Sequence, residues 1–217
     1  MLKIRLVMFY TLHTWYTKLR YTVQNLEGTM KIILGFLLFM SISMAQEQTA
    51  TFGGGCFWCM EAAFQPLKGV SEVDSGYMGG DPLAANYQDV SRGNSGHYEV
   101  VRVHFDNEVI SYEQLLEVFW KNIDPTDERG QFADKGKQYE TVIFYGNQKQ
   151  KVLAKSSKQA LADSKKFDKK IATKIKPVKE FFKAESYHQD YFKKNALRYQ
   201  LYKKGSGREA YINKTWK

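Results

Sequence analysis

The sequence contains few prolines and few cysteines, and this narrows the class of protein. Only four of the 217 residues are proline, while 15% are aromatic and 43% are hydrophobic. Because disordered chains have few aromatic residues, we expect a folded enzyme or binding domain. The length allows one domain with a substantial core and is too short to argue for two.

The chain has no second cysteine pair beside Cys56 and Cys59. A zinc site needs about four ligands, and His97, His104 and His188 lack the paired spacing of a zinc finger. A structural disulfide that closes so small a loop would add little stability. These absences favour a redox or nucleophilic pair over a metal site or a structural disulfide.

The N-terminal segment lacks an apolar run of the roughly 20 residues that span a membrane. A cation at Lys31 precedes a shorter apolar run over 32–42, which ends in small residues at Ser43 and Ala45. This pattern predicts a signal peptide over 30–45 and an exported, periplasmic or otherwise extracytoplasmic protein. The alternative is an uncleaved membrane anchor through 31–44.

The predicted signal peptide over 30–45 divides the chain into two further segments. We expect residues 1–29 to be an artefact of translation from an upstream start codon, without a structural role. Residues 46–217 then form the functional domain.

The net charge of +9 is unevenly distributed. Residues 151–217 contain 19 Lys and Arg against 6 Asp and Glu, whereas residues 46–150 contain 8 and 16. A basic C-terminal third could bind nucleic acid or an anionic surface. Because Lys dominates over Arg and is interleaved with Ala, Ser and Gln, we favour a solvated helix face and expect no nucleic-acid partner.

Hydrophobic periodicity predicts strands and helices in loose alternation. The expected strands are 50–53, 70–77, 98–105, 139–145 and 171–178, and the expected helices are 56–66, 111–120, 148–167 and 185–192. Long polar loops separate several of these elements. The pattern indicates a single α+β domain built as a two-layer sandwich with one sheet.

The cysteine pair follows a run of three glycines, Gly53 to Gly55, where a strand leads into a helix. The first turn of the helix would surround Cys56 with free backbone N–H groups. These donors would lower the pKa of its thiol from about 8.5 toward neutrality. Thioredoxin-like disulfide oxidoreductases carry the same Cys-x-x-Cys motif. The two residues between their cysteines are usually small and include a proline, whereas Phe57 and Trp58 are bulky.

An ordered series of motifs between Thr51 and about Phe192 resembles the peptide methionine sulfoxide reductase A family. The motifs are Gly55-Cys56-Phe57-Trp58, Gly76-Tyr77-x-Gly79-Gly80, Asn86-Tyr87, Ser95-Gly96-His97-x-Glu99, Asp124-Pro125-Thr126, Asp134-x-Gly136-x-Gln138-Tyr139 and Tyr187-His188-Gln189. The resemblance implies a ferredoxin-like two-layer α/β sandwich. It also implies reduction of L-methionine (S)-sulfoxide, free and in proteins, without a metal or an organic cofactor.

The resemblance implies a role for each matching polar residue. Cys56 is the nucleophile that attacks the sulfoxide sulfur. Glu99 is the general acid, and its apolar strand could raise its pKa enough to keep it protonated. Tyr87 and Tyr139 hold the sulfoxide oxygen with their hydroxyls, and Asp134 positions substrate or water.

The same resemblance implies the substrate pocket and the partners. Phe57 and Trp58 match the apolar wall that receives the substrate's methyl group. The expected partners are oxidised proteins and peptides, free methionine sulfoxide and a thioredoxin-like reductant, and we expect a monomer. Two other hypotheses are a disulfide oxidoreductase that uses the same cysteines and a basic binding module on residues 151–217.

The sequence departs from much of the family in its recycling cysteines. Many members carry them near a glycine-rich C-terminus, whereas the tail around Gly205-Ser206-Gly207 has none. Cys59 is the only other thiol, so it is the expected resolving cysteine. It would form a disulfide with Cys56 that the thioredoxin-like donor reduces.

Overall fold

The structure is a computed structural model, and it describes residues 47–216. The segment 1–29, the predicted signal peptide over 30–45 and the alternative anchor through 31–44 lie outside these residues. Within 47–216 no helix is both long and apolar enough to cross a membrane.

A six-stranded sheet runs through the described chain. Its strands are β1 (Glu47–Gly53), β2 (Val70–Met78), β3 (Tyr98–Asp106), β6 (Val142–Tyr145), β7 (Lys174–Pro177) and β8 (Phe181–Lys183). Their order is β7-β6-β1-β3-β2-β8, and all neighbours are antiparallel except β6 and β7. Two short strands, β4 (Gly130–Gln131) and β5 (Asp134–Lys135), form a separate hairpin.

Helices cover the sheet and make up the C-terminal segment. They are α1 (Phe57–Phe64), α2 (Tyr87–Ser91), α3 (Tyr112–Lys121), α4 (Gln148–Asp163), α5 (Tyr191–Lys194), α6 (Ala196–Gly205) and α7 (Arg208–Trp216). A capping box begins α3, because Ser111 and Gln114 each accept a hydrogen bond from the other's backbone N–H.

The main core lies between α1, α3 and one face of the sheet. Phe52 of β1 stacks on Phe64 of α1 at 5.1 Å and on Phe119 of α3 at 5.3 Å between ring centroids. Side chains alternate along β3, so Val101 and Val103 join this core. Glu99 lies two residues before Val101 in β3, so its side chain points to the same face of the sheet, the one that carries α1.

The α+β class, the main sheet and most predicted elements are confirmed. The predicted helix over 185–192 is wrong, because residues 186–190 form turns and α5 begins only at Tyr191. The helices α6 and α7 were not predicted. The predicted strand over 139–145 begins at Val142, since 137–139 form a 3-10 turn, and the predicted helix over 148–167 ends at Asp163.

Candidate active site

Cys56 caps the N-terminus of α1 and is only 6% exposed, while Cys59, on the first turn of that helix, is 4% exposed. Both cysteines are free thiols. The turn before them requires glycine at Gly55, which has φ +82. A Cβ there would lie 2.6 Å from Cβ of Gln131 and 2.8 Å from Nη2 of Arg208. The glycine run therefore brings two other segments against the cysteine loop.

Glu99 lies directly beside the helix that carries the cysteines. The backbone N–H of Phe57 donates to its Oε2 at 3.1 Å, and the side chain is 2% exposed. Burial raises the pKa of Glu99 to about 8, with a further contribution from the charge of Asp134. The predicted rise in pKa is thus confirmed, and at neutral pH the carboxyl holds a proton that it can donate.

The prediction that the helix N-terminus lowers the pKa of Cys56 is wrong. Burial raises it well above its usual value, and a hydrogen bond with Cys59 and the charges of Glu99 and Asp134 add to the rise. The Phe57 N–H that would have stabilised a thiolate is occupied by Glu99 instead. Cys56 is therefore a protonated thiol in the resting site.

The pKa of the Cys59 thiol is shifted in the opposite direction, below its usual value. The hydrogen bond from the Cys56 thiol lowers the pKa of Cys59, and the positive charges of Arg208 and Lys203 lower it further, against the effect of burial. The two thiols therefore titrate as a coupled pair, in which the positive charges of Arg208 and Lys203 act on Cys59.

Three further residues named from the sequence lie in the same site. Tyr139 lies close enough to Glu99 for its hydroxyl to lower the pKa of that carboxyl. Burial raises the pKa of Tyr139 and of Tyr87, and the charges of Glu99 and Cys56 raise both further. Burial also raises the pKa of Asp134. The structure thus brings these hydroxyls and carboxyls to Cys56, where they can hold and protonate an oxygen atom.

Aromatic rings form one side of the site. Trp58 stacks on Tyr191 at 3.8 Å between centroids, nearly parallel at 9°. Its Nε1–H donates to Nδ1 of His188 at 3.0 Å, and the His188 ring lies 5.0 Å from Phe57 and 4.4 Å from Tyr87. Because Nδ1 accepts and burial lowers the pKa of His188, the imidazole is neutral. Phe57 and Trp58 can therefore present an apolar surface to a small group.

Sequence reasoning missed the C-terminal contribution. Tyr191 and Tyr199 pack against Cys59, and the Tyr202 hydroxyl donates to Asp134. Arg208, only 2% exposed, donates to the backbone of the cysteine loop. In the sequence, the position of Arg208 after a glycine-containing turn indicates its burial only weakly, since a single arginine in a basic tail usually faces solvent.

A possible metal-binding cluster lies outside this site. Ligand atoms of Glu72, Asp74 and His104 come within 4.8 Å of one another, and residues 47–216 hold no other such group. Asp74 is already paired with Arg102, His104 and Lys183. The positive charges of Arg102 and Lys183 compete with a cation, so the cluster is explained as an ion-pair network.

Comparisons with known proteins agree with this arrangement. Residues 48–217 match the family described as peptide methionine sulfoxide reductase. The chain is 48% identical over 171 residues to the peptide methionine sulfoxide reductase MsrA of Bacillus subtilis, covering 79% of this chain and 97% of that protein. It is 46% identical over 170 residues to MsrA of Listeria monocytogenes, covering 78% and 96%.

Solved structures show the same relationship. Reduced Mxr1 from Saccharomyces cerevisiae superposes with a TM-score of 0.66 and 29% identity, covering 71% of this chain and 88% of that one. Methionine sulfoxide reductase A of Corynebacterium diphtheriae gives 0.62 and 27%, covering 72% and 78%. The sequence and the fold therefore agree that this chain belongs to the peptide methionine sulfoxide reductase A family.

Proposed function

We propose that the chain reduces L-methionine (S)-sulfoxide, free and in proteins, to methionine and so repairs oxidative damage. The observation that carries the proposal is the placement of a protonated Glu99 against the backbone of Phe57, the residue that follows the Cys56 nucleophile. A sulfoxide oxygen needs a proton as its bond to sulfur breaks, and Glu99 can supply one.

In the first step Cys56 attacks the substrate sulfur. Burial keeps the Cys56 thiol protonated, so the thiol loses its proton only as the new bond forms. Glu99 protonates the oxygen, which the hydroxyls of Tyr87 and Tyr139 hold in place, and the proton that leaves the Cys56 thiol restores the Glu99 carboxyl. In net terms the oxygen moves from the substrate sulfur to Cys56, leaving a sulfenic acid, and methionine departs.

Binding of the substrate uses the aromatic side of the site. Phe57 and Trp58 receive the methyl group, and the stacking of Trp58 on Tyr191 fixes the orientation of the indole. Asp134, half-buried and hydrogen-bonded by Tyr202, positions substrate or water near the reacting atoms.

In the second step Cys59 resolves the sulfenic acid. Cys59 lies on the first turn of α1, close enough to Cys56 for the two thiols to shift each other's pKa, and this turn rearranges when the disulfide forms. A thioredoxin-like dithiol then reduces the Cys56–Cys59 bond by exchange.

Further proposals concern the fold and the location of the protein. The antiparallel order β6-β1-β3-β2, with α1 following β1 and α3 following β3, supports a ferredoxin-like two-layer sandwich.

Export after cleavage of a signal peptide over 30–45 is supported by the cation, apolar run and small residues there. We also propose a monomer without a nucleic-acid partner, whose basic C-terminal third is a solvated surface.

An assay with both epimers tests the function. The protein is incubated with a reductant and either the S or the R sulfoxide of N-acetylmethionine, and the methionine product is quantified. We expect turnover of the S epimer alone. Reduction of protein disulfides without any loss of sulfoxide would instead identify a disulfide oxidoreductase.

A further inference from the structure

The glycine-containing turn after α6 directs Arg208 into the protein. Gly207 has φ +84, a conformation that residues with a Cβ rarely adopt, although open space surrounds it. The Ser206 hydroxyl accepts a weak hydrogen bond of 3.4 Å from the Arg208 N–H. The turn reverses the chain, so that Arg208 is 2% exposed at the start of α7.

Backbone carbonyls hold the Arg208 guanidinium against the cysteine loop. Nη2 donates to the Gly54 carbonyl at 2.7 Å, and Nη1 donates to the Asn122 carbonyl at 2.6 Å. Nη1 also lies 3.8 Å from Sδ of Met60, the residue next to Cys59. The fork geometry of the guanidinium thus joins the loop before Cys56 to the end of α3.

Among the described residues, the charge of Arg208 has no direct counter-ion. No carboxylate within residues 47–216 comes within 4.0 Å of its guanidinium, and Phe132 covers one face at 4.7 Å. A buried cation held by carbonyls alone is costly. It acts strongly on nearby ionisable groups, because the surroundings screen it little. An anion that forms during the reaction would balance it.

We propose that Arg208 is a positioning residue for recycling, whose buried charge holds Cys59 as the thiolate that attacks the Cys56 sulfenic acid. This inference rests on the proposed function. In the step, Cys59 Sγ bonds to Cys56 Sγ and the S–O bond of the sulfenic acid breaks. The oxygen leaves as hydroxide and becomes water with the proton that Cys59 gave up.

The groups around the two sulfurs indicate that the charge of Arg208 stabilises a thiolate on Cys59 rather than on Cys56. The ionisable groups that act on Cys59 are Cys56, Arg208, Lys203, Asp134, Glu99 and Tyr199. The carboxyls of Glu99 and Asp134 act on both sulfurs and oppose a negative charge there, whereas the cations Arg208 and Lys203 are prominent only in the surroundings of Cys59. The cation therefore favours the resolving sulfur over the attacking one.

Substitutions at Arg208 test the role. Arg208→Met removes the charge and keeps much of the volume, Arg208→Gln keeps a donor for the Gly54 carbonyl, and Arg208→Lys keeps the charge. Arg198→Met is the matched control, because it removes an arginine from an exposed position on α6. Each full-length variant is mixed with substrate without reductant, and released methionine and the disulfide are quantified over time by mass spectrometry.

Both uncharged variants should form the disulfide about fivefold or more slowly at neutral pH, as expected if the pKa of Cys59 rises from about 7 by about one unit or more. Methionine release should change far less. The slow step should recover at alkaline pH in the uncharged variants and at neutral pH in Arg208→Lys. Arg198→Met should match the wild type.

A titration separates the electrostatic role from a structural one. In the Cys56→Ser background, thiolate absorbance at 240 nm reports Cys59, and its midpoint should move to higher pH with Arg208→Met or Arg208→Gln. An unmoved midpoint in a folded variant, or an equal slowing of methionine release, would overturn the inference. If the wild type released no methionine, the proposed function would fail, while the titration would still decide whether Arg208 stabilises the Cys59 thiolate.

Discussion

The backbone N–H of Phe57 donates a hydrogen bond of 3.1 Å to the carboxyl of Glu99. This contact places the acid at the start of α1, in the position that a helix N-terminus usually offers to an anion. It also leaves Cys56 without that donor, so burial determines the state of its thiol. The acid and the nucleophile are therefore positioned by the same turn of helix.

Replacing Glu99 with glutamine should slow the first step by roughly 10²–10⁴-fold, the usual contribution of a positioned general acid. Glutamine can still accept the Phe57 N–H, so the fold should persist. Rapid-quench measurement of methionine release in a single turnover reports the rate. Glu108→Gln, at an exposed position, serves as the control. If Glu99→Gln released methionine as fast as the wild type, another group would be the acid.

The raised pKa of Glu99 predicts a pH dependence of stability. An unfolded Glu ionises near 4.5, whereas the folded-state pKa is about 8. Between these values the unfolded state has lost a proton that the native state keeps, so stability falls as pH rises. The slope for this group is at most about 1.4 kcal/mol per pH unit.

Denaturant unfolding of the wild type and Glu99→Gln across this range checks the sign. The Gln variant should gain stability relative to the wild type as the pH rises from about 4.5 to about 8. The comparison isolates Glu99 from Glu61, whose pKa burial raises to about 7. A difference that stays constant with pH would show that Glu99 is not protonated in the folded protein.

Gly55→Ala should destabilise the protein by about 1–3 kcal/mol, because φ +82 strains any residue with a Cβ. The new methyl would also meet Gln131 at 2.6 Å. Gly205→Ala, at a position with nothing within 4 Å of the new Cβ, is the control and should be neutral or slightly stabilising. Thermal unfolding measures both, and equal melting temperatures for the two variants would contradict the strain at Gly55.

Cys59→Ser should still release methionine once, because the attack needs only Cys56 and the groups that bind the oxygen. The protein should then stall as a sulfenic acid, which a dimedone probe would trap on Cys56. Turnover with thioredoxin should fall sharply, and dithiothreitol should restore it by attacking Cys56 directly. Full thioredoxin-driven turnover in this variant would show that Cys59 does not resolve the intermediate.

The motifs and the strand alternation were sufficient to place Cys56 and Glu99 in one site. Period-two alternation in β3 directs Glu99 toward the same side as Val101, where α1 packs. The protonation of Cys56 could not be predicted in this way. It depends on burial and on carboxyls that only the tertiary fold brings near.

The hydrophobic pattern of the sequence does not predict the C-terminal helices, because apolar residues of α6 face outward. Leu197 and Leu201 of α6 are 76% and 65% exposed, while Tyr199 is buried and Tyr202 is partly buried against the active site. An apolar stripe would have predicted the helix and its inner face. Here tyrosines form the inner face, so hydrophobic periodicity gave no signal.

The central claim is that Cys56 takes the oxygen from the sulfoxide, and one measurement tests it most directly. Wild type, Cys59→Ser and Cys56→Ser are each mixed with excess (S)-sulfoxide in the absence of reductant, and methionine is counted per chain. We expect about one methionine from each of the first two, and none from Cys56→Ser because its hydroxyl is a poor nucleophile. Circular dichroism confirms that the serine variant is folded. More than a few per cent of wild-type methionine release from folded Cys56→Ser would contradict the account.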